Sequence, residues 1–170
     1  MKKITALVPV RKGSQRVKNK NLKKFANTNL LRIKLESLIA VESIDKIVVS
    51  SDCEKMLSIA SSMGVETHTR EKYYASSEAD NSEFFRNLAE SIEGDYFMYS
   101  PVTCPLISRE TYLECIQRFQ SPEIENLVTV SLEKHHLWLD GKPLNYDIRK
   151  SPNSQDLPDI YKITYVKNNN

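Results

Sequence analysis

Apolar residues recur along this chain in two rhythms, one short and nearly continuous, the other at helical spacing. Ile4 to Val8 is a short apolar run of strand length, and the residues from Val10 to Phe25, which include Gly13, Ser14, Asn19 and Asn21, form a long polar loop. Leu30, Leu31, Ile33, Leu35, Leu38 and Ile39 then predict a helix from about Asn29 to Glu42. Lys46 to Ser50 (KIVVS) is β-branched and reads as a second strand. Ser51 with Glu54 forms an S-x-x-E capping box for a second helix, whose apolar stripe is Met56, Leu57, Ala60 and Met63 and whose end is marked by Gly64. Val65 to Thr69 predicts a third strand. Phe84, Phe85, Leu88, Ala89 and Ile92 predict a third helix closing at Gly94, and Asp95 to Ser100 a fourth strand. Ser108 caps a fourth helix with Tyr112, Leu113, Ile116 and Phe119 on its inner face, and Leu127 to Leu132 (LVTVSL) reads as a fifth strand.

Strand and helix thus alternate four times with short connections, which predicts an α/β fold with a Rossmann-like, doubly wound, mainly parallel sheet. Beyond residue 133 the pattern breaks. Leu137 to Leu139, Asp140-Gly141 and Lys142 to Tyr146 read as a hairpin with D-G as its turn, so 133–158 is expected as a small hairpin and loop excursion from a single domain spanning 1–170. A last apolar run covers Ile160 to Val166, and Asn168 to Asn170 is expected to fray.

A chain of 170 residues with 40% hydrophobic content fits one globular domain. No apolar run approaches the roughly 18 residues of a membrane span. Lys2 and Lys3 ahead of the first run lack a following cleavage site, since Arg11 and Lys12 stand there. A cytoplasmic chain with no membrane partner is expected. Cys53, Cys104 and Cys115 include no C-x-x-C and read as free thiols.

The net charge of +2 hides an uneven distribution. Residues 1 to 35 carry eleven cations (Lys2, Lys3, Arg11, Lys12, Arg16, Lys18, Lys20, Lys23, Lys24, Arg32, Lys34) and no acid; the remainder of the chain has a net charge of about −9. This asymmetry suggests an anionic partner near the N-terminal segment, with a solvated lysine-rich face as the other reading. In an open parallel sheet, ligands bind at the carboxyl ends of the strands, so the loop after the first strand is the first place to look. There, backbone amides around Gly13 can form an anion-binding nest, the Ser14 hydroxyl can donate, and Arg11, Arg16 and Lys20 can neutralise a polyphosphate. Together these describe a triphosphate cradle that is neither a Walker A loop nor a dinucleotide fingerprint.

The string Arg11-Lys-Gly-Ser-Gln-Arg16-Val-Lys-Asn-Lys20-Asn21 resembles the R-x-G-S-x-R-x-x-x-K-N signature of the sugar cytidylyltransferases, in particular the acylneuraminate branch. Ile47 to Asp52 resembles that family's I-V-V-S-T-D, Gly64-Val65 the same helix-to-strand link, and Arg70 an arginine after the third strand. Ala75 to Ser82 is similar to A-x-D-T-A-S, and Thr103-Cys104-Pro105-Leu106 to T-S-P-L. The resemblance implies a nucleotide-diphospho-sugar transferase type of fold and transfer of CMP from CTP to a nonulosonic (sialic-type) sugar acid, with release of pyrophosphate. It implies Arg11, Ser14, Arg16 and Lys20 on the phosphates, with Arg11 and Lys20 catalytic, Gly13 admitting the nucleotide to the backbone, and Asn21 positioning it. Arg70 and the Ala79 to Ser82 loop would lie near the cytosine, and Thr103 and Cys104 on the sugar side. Asp52 reads first as a helix-start acid.

The resemblance further implies Mg²⁺, whose acidic ligands in the family lie beyond the end of this chain, and a homodimer formed through the hairpin excursion, with Trp138 as contact anchor. There are two departures from the family pattern. Pro101 stands where the family carries a polar residue facing the sugar, and the chain stops soon after Val166. A catalytically incomplete nucleotide-binding paralogue is therefore one alternative, and a nucleic-acid-binding protein using the basic N-terminal segment another. The second is weakened by the lack of aromatic residues among those cations before Phe25. His135 and His136, adjacent on a strand, make a poor metal pair. Asp147, Asp156 and Asp159 lie in a loop that does not fix their geometry.

Overall fold

The computed structural model describes residues 1–13, 17–150 and 152–163. Its organising element is a four-stranded, all-parallel sheet of β1 (Ile4–Pro9), β2 (Lys46–Ser51), β3 (Glu66–Thr69) and β4 (Tyr96–Tyr99), ordered β3-β2-β1-β4. The chain steps outward from β1 to β2 to β3 and then returns across β1 to β4. That reversal places the topological switch point between β1 and β4, where open α/β sheets leave a crevice at the carboxyl rim.

Alternation along β1 explains why the sheet is covered on both faces. Ile4, Ala6 and Val8 point to one side, where with Val49 they meet α1 (Leu30–Ile39), α2 (Glu54–Ser62) and, after two further helices, α5 (Arg109–Phe119). Leu31, Leu35 and Leu38 of α1 are fully buried in this layer, each contributing roughly 1.5–3 kcal/mol through the apolar surface removed from water. Leu7 and Val48 point to the other side and pack on α4 (Asn81–Ser91) through Leu88, Ile92, Phe84 and Phe85. The sheet is therefore doubly wound, as the apolar rhythm predicts. Asn29 caps α1 by accepting from the Arg32 amide, Ser108 caps α5 by accepting from Thr111, and Gly64 follows α2 with a left-handed φ of +73°.

Three local expectations are corrected. Ser51 is the last residue of β2 rather than a helix cap: Cys53 occupies the cap position of α2 with no side-chain cap bond, and the Ser51 hydroxyl instead accepts from the Cys53 amide. The segment between β3 and α4 contains an extra helical turn, α3 (Lys72–Ala75). Ser82 belongs to the first turn of α4 rather than to a loop, because Asp80 and Glu83 form the real capping box there.

The third correction concerns the fifth strand. β5 (Val130–Glu133) does not join the parallel sheet but pairs antiparallel with β8 (Ile160–Ile163). LVTVSL alternates apolar and polar residues, the signature of a half-covered antiparallel strand, whereas the strands buried on both faces are near-continuous apolar runs.

The chain divides into two compact units, Met1–Ile124 and Glu125–Asn170, a boundary eight residues ahead of the point where the sequence rhythm breaks. The second unit holds the β5/β8 ladder and the hairpin of β6 (Trp138–Leu139) and β7 (Lys142–Pro143). Its turn is Asp140-Gly141, both residues at positive φ, as a two-residue hairpin of matching twist demands. Asn145 braces the hairpin by accepting from the Leu137 amide and donating to the His135 carbonyl. The extension of the last apolar run through Val166 and the expected fraying of Asn168 to Asn170 lie outside the described residues.

Candidate active site

The backbone leaving β1 is held group by group. The Val10 amide donates to the Ser50 carbonyl, and the Val10 carbonyl accepts from the Arg70 guanidinium. The Arg11 carbonyl accepts from Asn21 Nδ2 at 3.4 Å, and the Lys12 amide donates to Asp52 Oδ1 at 2.9 Å. Gly13 follows with a φ of +79°, and among the described residues no atom lies within 4 Å of where a Cβ would stand. The loop thus has a fixed stem ahead of its glycine. Ser14 and Arg16, assigned to the phosphates, lie outside the described residues. The chain then makes a tight turn in which the Lys20 amide donates to Val17 O and the Leu22 and Lys23 amides to Asn19 O. Asn21, expected to position the nucleotide, is buried; besides bracing Arg11, its carbonyl accepts from the Leu31 amide at the start of α1. Lys20 is half-buried.

Arg11 and Arg70 sit on the same rim. Arg11 Nη1 donates to the carbonyls of Ala75 (3.0 Å) and Ser76 (2.7 Å), which ties the first loop to the segment after α3. Arg70 is buried after β3, its amide bonded to Ser51 O and its guanidinium 5.1 Å from the centre of the Phe84 ring. Burial pulls the Arg70 guanidinium down to about 10; Asp52 opposes that shift and Arg11 adds to it. Beside them the Ser50 hydroxyl meets His68 Nδ1 at 3.0 Å, and burial followed by Arg70 lowers the His68 imidazole from its ordinary value. Ala79 is half-buried in the bend before α4, and Ser82 is exposed.

On the other side of β1, the Ser100 amide extends the β1–β4 ladder to Leu7 O, and the chain turns so that the Cys104 amide donates to Pro101 O. Thr103 is exposed and Cys104 half-buried on this turn. The Cys104 carbonyl accepts from Lys34 Nζ at 2.6 Å.

Two functional features went unseen in the sequence. Asp52 is an anchor for the first loop rather than a helix cap; an acid one residue past the second of two adjacent strands is the signal that could have located it. Lys34, counted among the surface cations, is fully buried. Lys2 is likewise drawn inward, its ammonium donating to the carbonyls of Phe119, Ser121 and Ile124. With Arg11 tied down as well, three of the eleven N-terminal cations serve internal contacts, so the segment is not a uniform basic surface.

A parallel sheet with an anchored basic loop stem at its switch-point rim defines an α/β protein of the doubly wound class, whose ligand sites lie at that rim. Comparison with known proteins makes the class specific. The family model described as "Cytidylyltransferase" matches residues 5–137, and the chain belongs to that family. It is 31% identical over 123 residues to the N-acylneuraminate cytidylyltransferase of Escherichia coli O18:K1:H7, covering 71% of this chain and 29% of that protein. It is 24% identical over 119 residues to the pseudaminic acid cytidylyltransferase of Campylobacter jejuni, covering 66% and 51%. The chain therefore spans about half or less of the length of these relatives. Among solved structures, CMP:2-keto-3-deoxy-manno-octonic acid synthetase complexed with CTP aligns with a TM-score of 0.61 at 15% identity, covering 71% of this chain and 48% of that one. A cytidylyltransferase from Leptospira borgpetersenii aligns at 0.59 and 23%, covering 72% and 51%. These likenesses agree on the fold.

Proposed function

We propose that this chain binds CTP at the rim of β1 and transfers its cytidylyl group to a nonulosonic sugar acid. An anomeric hydroxyl oxygen of the acceptor forms a bond to the α-phosphorus, the bond from that phosphorus to the bridging oxygen breaks, and pyrophosphate leaves with the electron pair. The hydroxyl proton is released. The observation that carries this reading is the first loop: the family signature Arg11 to Asn21 begins on a stem in which the Val10 amide and carbonyl, the Arg11 carbonyl and the Lys12 amide are held, followed by Gly13 at a left-handed φ. Such a loop presents fixed donors where charge develops on the phosphoryl oxygens. Lys20, with Ser14 and Arg16, supplies the remaining phosphate contacts. Arg11 supplies the link to the Ala75–Ser82 segment, whose main chain, with Arg70, faces the cytosine. Thr103 and Cys104 contact the acceptor. The need for CTP assigns the reaction to the cytoplasm, and the exposed Trp138, Leu139 and Leu144 of the hairpin unit supply the contact of a homodimer.

Mg²⁺ accompanies the triphosphate in this reading. Among the described residues no three His, Cys, Asp or Glu side chains converge as a metal site, and the Asp52 Oδ1 atom is occupied by the Lys12 amide. The residues present do not fit a metal cage of the protein's own, and none of the steps above runs through one. None of the described helices is long and apolar enough to cross a membrane.

The test is to incubate the full chain with CTP, Mg²⁺ and a panel of nonulosonic acids, follow pyrophosphate release, and measure CTP binding by calorimetry in parallel. Turnover with one of the acids is the expected result. CTP binding without turnover on any of them indicates a nucleotide-binding paralogue. Salt-sensitive oligonucleotide binding with no CTP binding indicates the nucleic-acid reading and overturns the proposal.

A further inference from the structure

The Lys34 side chain lies on the inner face of α1 with no solvent exposure, and among the described residues no carboxylate pairs with it. Its ammonium donates to the Cys104 carbonyl and to the Tyr112 hydroxyl, each at 2.6 Å, and stands 5.3 Å from the centre of the Tyr112 ring. Tyr112 is itself buried on α5, where burial pushes its phenol up to about 12 while the flanking Ser100 and Ser37 hydroxyls act the other way. Burial also holds the Lys34 ammonium below its ordinary value. A methionine would fill the same channel without removing a charge from water, so packing alone does not account for a lysine here.

What the ammonium does that an apolar side chain cannot is hold the Cys104 carbonyl. The amide of the same residue closes the turn that starts at Pro101, just beyond β4, on the far side of the switch-point crevice from the basic loop. Val102 buries its side chain in the core, while Thr103 is exposed and Leu106 retains 91% of its accessible surface. With a proline where a polar side chain would stand, the turn offers its substrate backbone groups and the short side chains of Thr103 and Cys104. Their placement depends on the backbone being fixed from beneath.

We propose that Lys34 is a positioning residue: from inside the core it pins the Pro101–Cys104 turn and thereby sets the acceptor side of the site. The functional half of this inference rests on the cytidylyl-transfer reading; the mechanical half does not. The Cys104 thiol is a built-in reporter, and Cys53 and Cys115, also half-buried, are internal references. Iodoacetamide labelling of the full chain, quantified cysteine by cysteine by mass spectrometry, is compared in wild type, Lys34→Met and Tyr112→Phe. Tyr112→Phe disturbs the same buried cluster but leaves the tie to the Cys104 carbonyl.

The expected result is at least a fivefold faster reaction at Cys104 in Lys34→Met and less than twofold in Tyr112→Phe, with Cys53 and Cys115 within twofold throughout. With the acid that wild type turns over, KM for the acceptor rises about tenfold in Lys34→Met while KM for CTP stays within twofold. A purely structural role would move both constants, or neither. An unchanged Cys104 rate in Lys34→Met, or an equal rise at all three cysteines in both variants, overturns the proposal. If wild type shows no turnover, the cytidylyl-transfer reading falls and the labelling comparison still decides the pin. If Lys34→Met does not fold, Lys34→Gln, a donor on a shorter arm, takes its place, with a two- to fivefold rise at Cys104 expected and no rise overturning it.

Discussion

Replacing Asp52 separates two effects of opposite sign. Its Oδ1 accepts from the Lys12 amide at 2.9 Å and so helps to hold the first loop open at Gly13, yet its negative charge stands beside the place proposed for a triphosphate. A hydrogen bond to a charged group contributes about 1.5–3 kcal/mol when sheltered. Lys12 is exposed here, so water competes, and about 1 kcal/mol is the appropriate figure. Asp52→Asn keeps an oxygen for the Lys12 amide and removes the charge; Asp52→Ala removes both. If the anchor matters, the alanine variant binds CTP about fivefold more weakly than the asparagine variant, the equivalent of that 1 kcal/mol. Relief of charge repulsion makes Asp52→Asn bind as well as wild type or better. Calorimetry with CTP measures both, and thermal unfolding checks that neither variant loses more than a few degrees. Equal affinities in the two variants would show that the carboxylate does not shape the loop, and the argument from its geometry would be refuted.

Three further predictions follow from the same structure. Among the described residues Gly13→Val meets no neighbour within 4 Å but must hold a left-handed φ, so CTP binding is expected to fall at least tenfold in calorimetry while the melting temperature stays within about 3 °C; a collapse in stability would assign the glycine to the fold. Lys2→Met strips the ammonium that serves the carbonyls of Phe119, Ser121 and Ile124 after α5 and lies 4.3 Å from the Phe119 ring centre; a loss of about 1–3 kcal/mol is expected in denaturant unfolding, and an unchanged midpoint would contradict it. His68 has its imidazole lowered by burial and by Arg70, so below pH 6.5 the unfolded chain takes up the proton first and stability falls as the pH drops through the folded-state value. Melting temperature measured between pH 7 and 5 should decline less in His68→Gln than in wild type, and identical slopes would remove His68 from the acid response.

The fold was legible where burial imposes one rhythm on the sequence. β1 and β2 read as ITALV and KIVVS because strands covered on both faces tolerate little but apolar residues, and α1 is legible because only one stripe of it is buried. LVTVSL misleads because strand propensity is the same whether a strand pairs parallel in a central sheet or antiparallel in a separate ladder; partner choice is a long-range property, and only the alternation hinted at it. At the site, the basic loop was legible from residue type and spacing. The internal uses of Lys2, Lys34 and Arg11 were not, because a lysine in sequence carries no sign of whether its amine reaches water or a carbonyl. Asn21 carries a contact that its motif position does not announce: it is buried as a staple between Arg11 and the start of α1.

These internal contacts change what the N-terminal charge excess means. Summed as point charges, eleven cations imply a field that would attract any polyanion, nucleic acid included. In the structure, the stem of the first loop is shaped by specific contacts rather than by total charge. Four backbone groups between the Val10 amide and the Lys12 amide are held, by Ser50 and Asp52 at the end of β2 and just beyond it, by Arg70 directly after β3, and by Asn21 in the turn before α1. Because these partners come from three separate segments, the stem takes its shape only once the parallel sheet and the start of α1 are assembled. A stem already held before a ligand arrives loses little conformational entropy on binding. A flexible lysine-rich arm would give similar attraction without that advantage, and this is why the anchored stem, more than the count of lysines and arginines, carries the case for a nucleotide site.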